Sequence, residues 1–438
     1  MSNKLGNVGN KIFDHHPQSS IFSKSIFNLL KILFTGFIIF NLSSCKDHIN
    51  KIKPITFFTT KITKEIDYKI DTKVNYSIKD LLTQKSYTSF SIFGSQKISS
   101  KPIIKDGIMY VLGNKGTVIS LDINNNFKKN WSAETLDQKT NLQNSGGIEL
   151  LGDKLYITNG TKDLIILNKD DGSEITRIKF ANIIKSRPAS SSLGAIFVIT
   201  IDDNLYSIDS ENFRILWKKE NINEIISQSE DNRLFVYKDK LLVNYSSGRT
   251  VSYDISSRSS IDESKSWIHN LADETSIVPD FSYLNVTSEP VIYNSKGVDI
   301  VYLSNGSGIV YAIDLNFGNI LSKKNFQDVQ ILKNYGNGFF IINNAKQFAG
   351  VSEDLRVAFV DDLTPKNENP EKFIDIFASN DSVYAVSEKS KIYQIDLQNQ
   401  KLSNIIKIPL SPKFALDDEQ NIYIIGETRL LVINKIKL

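Results

Sequence analysis

Four histidines and one cysteine are all that this 438-residue chain offers for nucleophilic or soft-metal chemistry. His15 and His16 lie near the amino end, His48 follows Cys45, and His269 stands alone in mid-chain. A Ser-His-acid relay would have to be built on His269, and no nucleophile signature stands near it. Zinc and related metals want clustered Cys and His, which this spacing does not supply. Calcium loops want acids at alternate positions. Asp361-Asp362 and Asp417-Asp418-Glu419 come nearest, and both read as exposed turn acids. The residues therefore predict no enzyme, no metal and no cofactor. Function should reside in binding surfaces, which need elements to hold them rigid.

Those elements announce themselves by spacing. An aromatic or large apolar residue is followed twelve positions later by a small polar residue that ends an apolar run. Tyr110/Asp122, Tyr156/Asn168, Phe197/Asp209, Leu242/Asp254, Tyr302/Asp314, Phe340/Ser352 and Tyr384/Asp396 keep this offset, and Tyr423/Asn434 closes the series one residue short. Successive pairs average about 45 residues apart, the period of four-stranded propeller blades. Twelve residues fit two short strands with a tight turn, and turn residues occur where this requires them, as at Asn159-Gly160 and Ser247-Gly248. The repeated Asp is expected to cap its strand by accepting local backbone N–H groups. Leu242 and Ser352 mark blades four and six as degenerate repeats. The fold expected is all-β: an eight-bladed propeller of four-stranded antiparallel blades over residues 67–438. The last repeat ends too soon for its outer strand, and Tyr87 to Phe93 is the natural donor, closing the ring and hiding its edges.

Composition suits a folded, uncharged scaffold. Hydrophobic residues make up 41% and charged residues 23%, and 52 basic against 49 acidic side chains leave a net charge of +3, too little to argue for nucleic acid. Ahead of the repeats, Lys24 and Lys31 precede an uncharged run, Ile32 to Ser44, too short to span a bilayer but suited to a secretory h-region. It ends in Leu42-Ser43-Ser44-Cys45, which resembles the bacterial lipobox. The expected organisation is a lipoprotein signal peptide at 1–44, a polar lipidated tether at 45–66 with Cys45 as the acylated residue, and the propeller beyond. Several acyl chains hold a protein on a bilayer durably, since each buried methylene contributes about 0.8 kcal/mol.

Several repeats carry more than a period. Asn204-Leu205-Tyr206-Ser207-Ile208-Asp209 with Trp217, and Gly308-Ile309-Val310-Tyr311-Ala312-Ile313-Asp314 with Phe317-Gly318, resemble the tryptophan-docking repeat of quinoprotein-type (PQQ-like) propellers. Ser288-Glu289-Pro290-Val291 and Lys101-Pro102-Ile103 match the opening of its inner strand, and Trp131, Trp217 and Trp267 fall on or near the docking position. The resemblance implies one of two branches: quinone-dependent dehydrogenases, or the lipoprotein B subunit of the outer-membrane β-barrel assembly machinery. The lipobox, the compact eight repeats and the lone cysteine favour the second, since the dehydrogenases commonly carry a vicinal cysteine pair.

What this resemblance implies is a lipid-anchored scaffold on the periplasmic face of the outer membrane, without a cofactor. Its partners would be the barrel-inserting subunit, nascent outer-membrane proteins and the membrane, with no nucleic acid. Lys46 after the cysteine leans toward the outer membrane. The partner-binding residues would be Ile183, Ile184, Lys185 and Arg187 before the inner strand of blade three, together with Asp280, Tyr283 and Asn285. Ile184 and Lys185 take the place of a leucine-arginine pair, while Asn285 and Thr287 stand where paired acids would be, with Asp280 a substitute. The interval from Asp254 to Asp314 exceeds its neighbours by about 15 residues; the excess, placed within Asp262 to Leu284, is rich in apolar and aromatic residues, suiting either an interface or a loop folded over the blade edges. The rival readings are a quinone-dependent oxidoreductase and a generic envelope-binding lipoprotein that takes peptidoglycan or polysaccharide.

Overall fold

Alternating apolar residues in short runs, separated by Gly, Asn and Asp, produce strands that bury both faces between neighbouring sheets. A computed structural model describes residues 62–74, 76–78, 87–91, 96–136, 146–220, 233–271, 289–363 and 371–437. Among them every regular element is a strand, and these assemble into eight antiparallel sheets, the blades of a propeller. Blade one comprises Ile103–Lys105, Ile108–Leu112, Thr117–Asp122 and Lys128–Glu134 in simple up-and-down order. Blades two to seven repeat that order over residues 147–179, 189–219, 234–270, 291–325, 329–362 and 373–407. The first strands of neighbouring blades approach one another, so they line the axis.

Blade eight supplies only Phe414–Asp417, Asn421–Ile425 and Arg429–Lys437 from the carboxyl end. Its outer position is taken by Tyr87–Ser91, which runs antiparallel to Arg429–Lys437 with Tyr87 opposite Ile433 and Ser91 opposite Arg429. The expected donor is thus the strand used. A short strand, Tyr76–Ile78, pairs further along with residues 435–437. Apolar packing confirms the closed ring: eight clusters of buried side chains correspond to the eight joints between blades. One of them joins Tyr423, Ile425 and Leu430 of blade eight to Met109, Val111 and Ile119 of blade one.

The twelve-residue signature has two separate physical causes. Asp122, Asp209, Asp314 and Asp396 each accept two backbone N–H groups from the turn that follows, at 2.7–3.2 Å. This local capping matches the expectation. The tyrosine acts across a joint: Tyr156 Oη donates to Ser210 O at 3.1 Å and Tyr302 Oη to Glu353 O at 2.7 Å, each in the corresponding turn of the next blade. Burial pushes the Tyr156 phenol up to about 12, so it remains a donor at any physiological pH.

Tryptophan docking follows the same route. Trp131 Nε1 donates to Lys169 O at 2.9 Å, and Trp267 Nε1 to Leu315 O at 2.8 Å, each reaching the next blade. Both rings lie over a glycine of that turn, Gly172 or Gly318, where a Cβ would come within 2.5 Å of the indole. All three tryptophans pair with a small third-strand residue, Ser120, Ser207 or Ser252. For Trp217 the place of the receiving glycine holds Arg258, which reaches back to Asp209; Trp217 packs on Phe197 at 5.8 Å, as Trp131 does on Tyr110 at 6.0 Å, and against the joint with blade four.

The amino-terminal segment departs from the expected tether. Residues 62–66 are seated on the propeller. Ile62 is buried in the joint between blades five and six, and Glu65 and Ile66 donate backbone N–H groups to Val357 O at 2.8 and 3.1 Å. The chain then crosses blade six, where Tyr68 Oη donates to Asn337 O at 2.9 Å, and inserts Ile70 between blades six and seven. Thr72 Oγ1 reaches Ser379 O of blade seven at 3.3 Å. Apolar Ile62 and Ile70, eight residues apart, make a strap from what its polar neighbours disguise as a linker. Residues 1–44 and Cys45 lie outside the described residues.

Candidate docking surface

Antiparallel order gives the propeller two unlike faces. One, here the upper, carries the turns between second and third strands and the connectors between blades. The lower carries the remaining turns, the docked tryptophans and the later part of the strap, which starts at Ile62 beside Gln347 on the upper side and reaches the lower turns at Tyr68 and Thr72.

The connector before blade three lies on the upper face and is fixed by backbone contacts along its length. Ile184 N donates to Thr161 O at 2.8 Å, Ile201 N to Ile183 O at 2.9 Å, and Gly146 N to Lys185 O at 2.5 Å. Thr158 Oγ1 donates to Ser186 O at 2.8 Å. Ile184 itself is fully buried among Tyr156, Phe180 and Ile196 in the joint between blades two and three. This corrects its expected role as a contact residue, because an apolar side chain on an otherwise polar connector is drawn into the nearest core. Ile183 and Lys185 are half-buried, and Arg187 is exposed. Asp280, Tyr283 and Asn285 lie outside the described residues, as does Thr287.

Arg187 has partners that sequence spacing conceals. Its Nη2 donates to Glu149 Oε2 at 2.7 Å, and Ser190 Oγ donates to Glu149 Oε1 at 2.7 Å. Glu149 belongs to the inner strand of blade two, so the pair spans the joint. Beside it a hollow of about 490 Å³ opens between the inner strands of blades one and two, lined by Ile104, Lys105, Leu150 and Lys169 as well as this pair. Across the axis, Lys101 Nζ stands 3.6 Å from Glu289 Oε1. These residues precede the inner strands of blades one and five, four blades apart, so their contact bridges the mouth of the central channel. No local signal could have revealed either pair, because stacking of neighbouring blades creates the first and closure of the ring the second.

The next joint is held by a buried ion pair. Arg233, just before blade four, meets Asp203 of a blade-three turn. Arg233 Nη1 also donates to Thr200 O at 3.3 Å, and Ser246 donates to Asp203 through N at 3.0 Å and Oγ at 2.8 Å. Such satisfaction keeps a buried carboxylate tolerable. The upper face between blades one and four is thus a rigid floor under Lys185 and Arg187.

The residues first weighed for chemistry have structural duties. His269 lies in the outer strand Asp262–Asn270 of blade four, with Nε2 at 2.5 Å from Gly318 O and its ring beside Trp267. The expected insertion therefore begins with regular strand, and Trp267 and Leu271 are core residues. Asp361 and Asp362 close the strand Val357–Asp362 rather than standing in a turn, and Asp361, half-buried, accepts Leu402 N at 2.6 Å; Asp418 caps a turn through Gln420 N and Asn421 N, as expected. Among the described residues no three His, Cys, Asp or Glu side chains group so as to hold a metal ion. No described helix is long and apolar enough to cross a membrane.

Comparison with known proteins places this architecture among relatives. The family described as "Outer membrane protein assembly factor BamB" matches residues 88–181 and 131–405. An uncharacterized protein of Rickettsia prowazekii is 30% identical over 390 residues, covering 84% of this chain and 90% of its own length. Another, from Rickettsia conorii, is 25% identical over 407 residues, covering 88% and 94%. Among solved structures, BamB from Moraxella catarrhalis superposes with a TM-score of 0.63 at 10% identity, covering 79% of this chain and 98% of that one. Quinohemoprotein alcohol dehydrogenase from Comamonas testosteroni superposes with a TM-score of 0.59 at 10% identity, covering 84% and 78%. At that identity both likenesses speak for the fold alone.

Proposed function

The chain belongs to the family described as outer membrane protein assembly factor BamB, and from that premise we propose that it is a non-enzymatic scaffold of the machinery that assembles outer-membrane β-barrel proteins. In this reading it is acylated at Cys45, held at the periplasmic face of the outer membrane, and binds the barrel-inserting subunit through connectors between its blades. Nascent barrel proteins are its clients. One observation of this chain supports the reading above others: the connector before blade three displays Lys185 and Arg187 on a backbone fixed at nearly every residue. A rigid scaffold loses little entropy on binding, which suits a docking site. Asp361, Asp418 and His269 are engaged in backbone contacts, so the reading asks no catalysis of them.

The test is capture from detergent-solubilised envelope by the mature protein. Recovery of the barrel-inserting subunit is expected, and recovery of no assembly subunit overturns the proposal. Lys185→Glu combined with Arg187→Ala should weaken capture about tenfold or more, as for interface residues, while loss of the Arg187–Glu149 pair lowers stability by no more than about 1 kcal/mol. Ile184→Ala should instead destabilise the fold by about 2–5 kcal/mol, as for other buried large-to-small changes. Saturable dye reduction after addition of quinone and calcium would replace the scaffold reading by an oxidoreductase.

A further inference from the structure

Asn337 commits both its backbone groups and its side-chain amide to one segment of the chain. Its carbonyl oxygen accepts Tyr68 Oη at 2.9 Å, and its backbone N–H donates to Asp71 O at 3.2 Å. Its Oδ1 accepts Asp71 N at 2.8 Å, and Nδ2 donates to Lys69 O at 3.2 Å. Three of these bonds end on backbone atoms of the strap, which almost any residue supplies. Lys69 O, Asp71 N and Asp71 O face one side together, as the groups of alternate residues do on an extended strand. Glycines of blade six make room for the segment: a Cβ on Gly336 would collide with Asp71 O, and one on Gly350 would come within 2.7 Å of Ile70 Cδ1.

The seated segment also alternates. Ile66, Tyr68, Ile70 and Thr72 are half-buried or buried, with Ile70 in the joint between blades six and seven, while Asp67, Lys69, Asp71 and Lys73 are exposed. Asp67 pairs with Lys64 at 2.5 Å and Asp71 Oδ1 accepts Lys73 N at 3.0 Å, so both acids bond within the strap. The groove thus reads backbone spacing and every second side chain, and leaves the outward residues unread.

We propose that this groove is a receptor for an extended polypeptide with apolar or aromatic side chains at alternate positions, as in the strands of membrane β-barrels, and that residues 66–72 occupy it as a competitor in cis. The proposal rests on the reading that nascent barrel proteins are clients, and names where one client strand is held. Strands that span a membrane alternate apolar and polar side chains over about 9–11 residues. Backbone bonds supply affinity and alternate side-chain slots supply selectivity, the division used wherever proteins bind extended peptides. The strap stays tied to the propeller through Tyr76–Ile78, so it refills the groove when a client leaves.

The test unseats the strap and leaves the propeller's own residues unaltered. Ile70→Asp puts a charge into the joint, and a second variant, Asp71→Pro, removes the N–H that Asn337 Oδ1 accepts. Full chains are titrated with a fluorescein-labelled peptide of about ten residues that alternates Val and Tyr with Ser and Asn, and with one of the same composition whose apolar residues are grouped. By fluorescence anisotropy, either variant should bind the alternating peptide about tenfold or more tightly than the unaltered chain does, because the groove is free in a larger fraction of molecules. The grouped peptide should not bind. Adding Asn337→Ala to Ile70→Asp should weaken binding again by about tenfold. Equal affinity of altered and unaltered chains, or for the two peptides, overturns the proposal, and overturns it alone where the same chains still capture the barrel-inserting subunit. Peptide binding by a chain that captures no assembly subunit overturns the proposed function and the client named here with it. Association of the variants with one another in the absence of peptide assigns the groove to the strap of a second copy and also overturns the proposal.

Discussion

At the scale of single residues, two glycines in one blade show which constraints are local. Gly152 and Gly172 both lie in turns of blade two with φ of +63° and +74°, the left-handed region that disfavours a Cβ. Around Gly152 nothing lies within 4 Å of an added Cβ, while at Gly172 the Trp131 ring is 2.5 Å away. Gly152→Ala should therefore cost about 1 kcal/mol, the backbone term alone. Gly172→Ala should cost about 2–4 kcal/mol, because an overpacked contact adds to it and the indole must leave its hydrogen bond to Lys169 O. Urea midpoints of the two variants check this, and equal shifts would mean that the tryptophan dock contributes nothing to stability. The same scale shows what sequence can reveal. Asp122 and its equivalents were readable as caps because their partners are two and three residues away. The pairing of Arg258 with Asp209 was not readable, because it joins adjoining blades.

At the scale of elements, a strand's role depends on the neighbour it finds. Tyr87–Ser91 could be assigned from sequence because the last repeat visibly lacked a partner and a β-rich run stood free upstream. The strap could not, since Ile62 and Ile70 enter joints made by residues of blades five to seven, far along the chain. Ile184 misled for the opposite reason: a connector that had to be on the surface sends one side chain inward. These two amino-terminal elements should separate by truncation. A chain beginning just before Tyr87 loses the strap and the short strand at 76–78, yet keeps the outer strand of blade eight, so it should remain folded with a lowered melting temperature. A chain beginning at Gln96 also loses Tyr87–Ser91, leaving residues 429–433 as an unpaired edge, and should aggregate or melt without a sharp transition. Circular dichroism melts and size-exclusion profiles compare them; identical behaviour would show that closure of blade eight does not hold the ring.

At the scale of the whole molecule, stacking the blades and closing them into a ring bring together charges that no stretch of sequence relates, and their surroundings decide what each pair is worth. Lys101 and Glu289 meet across the channel mouth with side chains 38% and 60% exposed, whereas Arg233 and Asp203 meet in a joint at 4% and 0%. Water screens the first pair, so Glu289→Gln should change stability by no more than about 1 kcal/mol, an effect that 1 M salt should abolish. The second pair has no water to fall back on. Asp203→Asn leaves the Arg233 guanidinium buried without its counter-charge, and should cost about 3–5 kcal/mol with little dependence on salt. Thermal midpoints at low and high salt measure both. The opposite ranking would mean that the bridge over the axis, and not the sealed joints, carries the mechanical integrity of the propeller. The expected ranking leaves the channel mouth free to exchange its own ion pair for a partner's charges while the floor beneath the docking connector stays fixed.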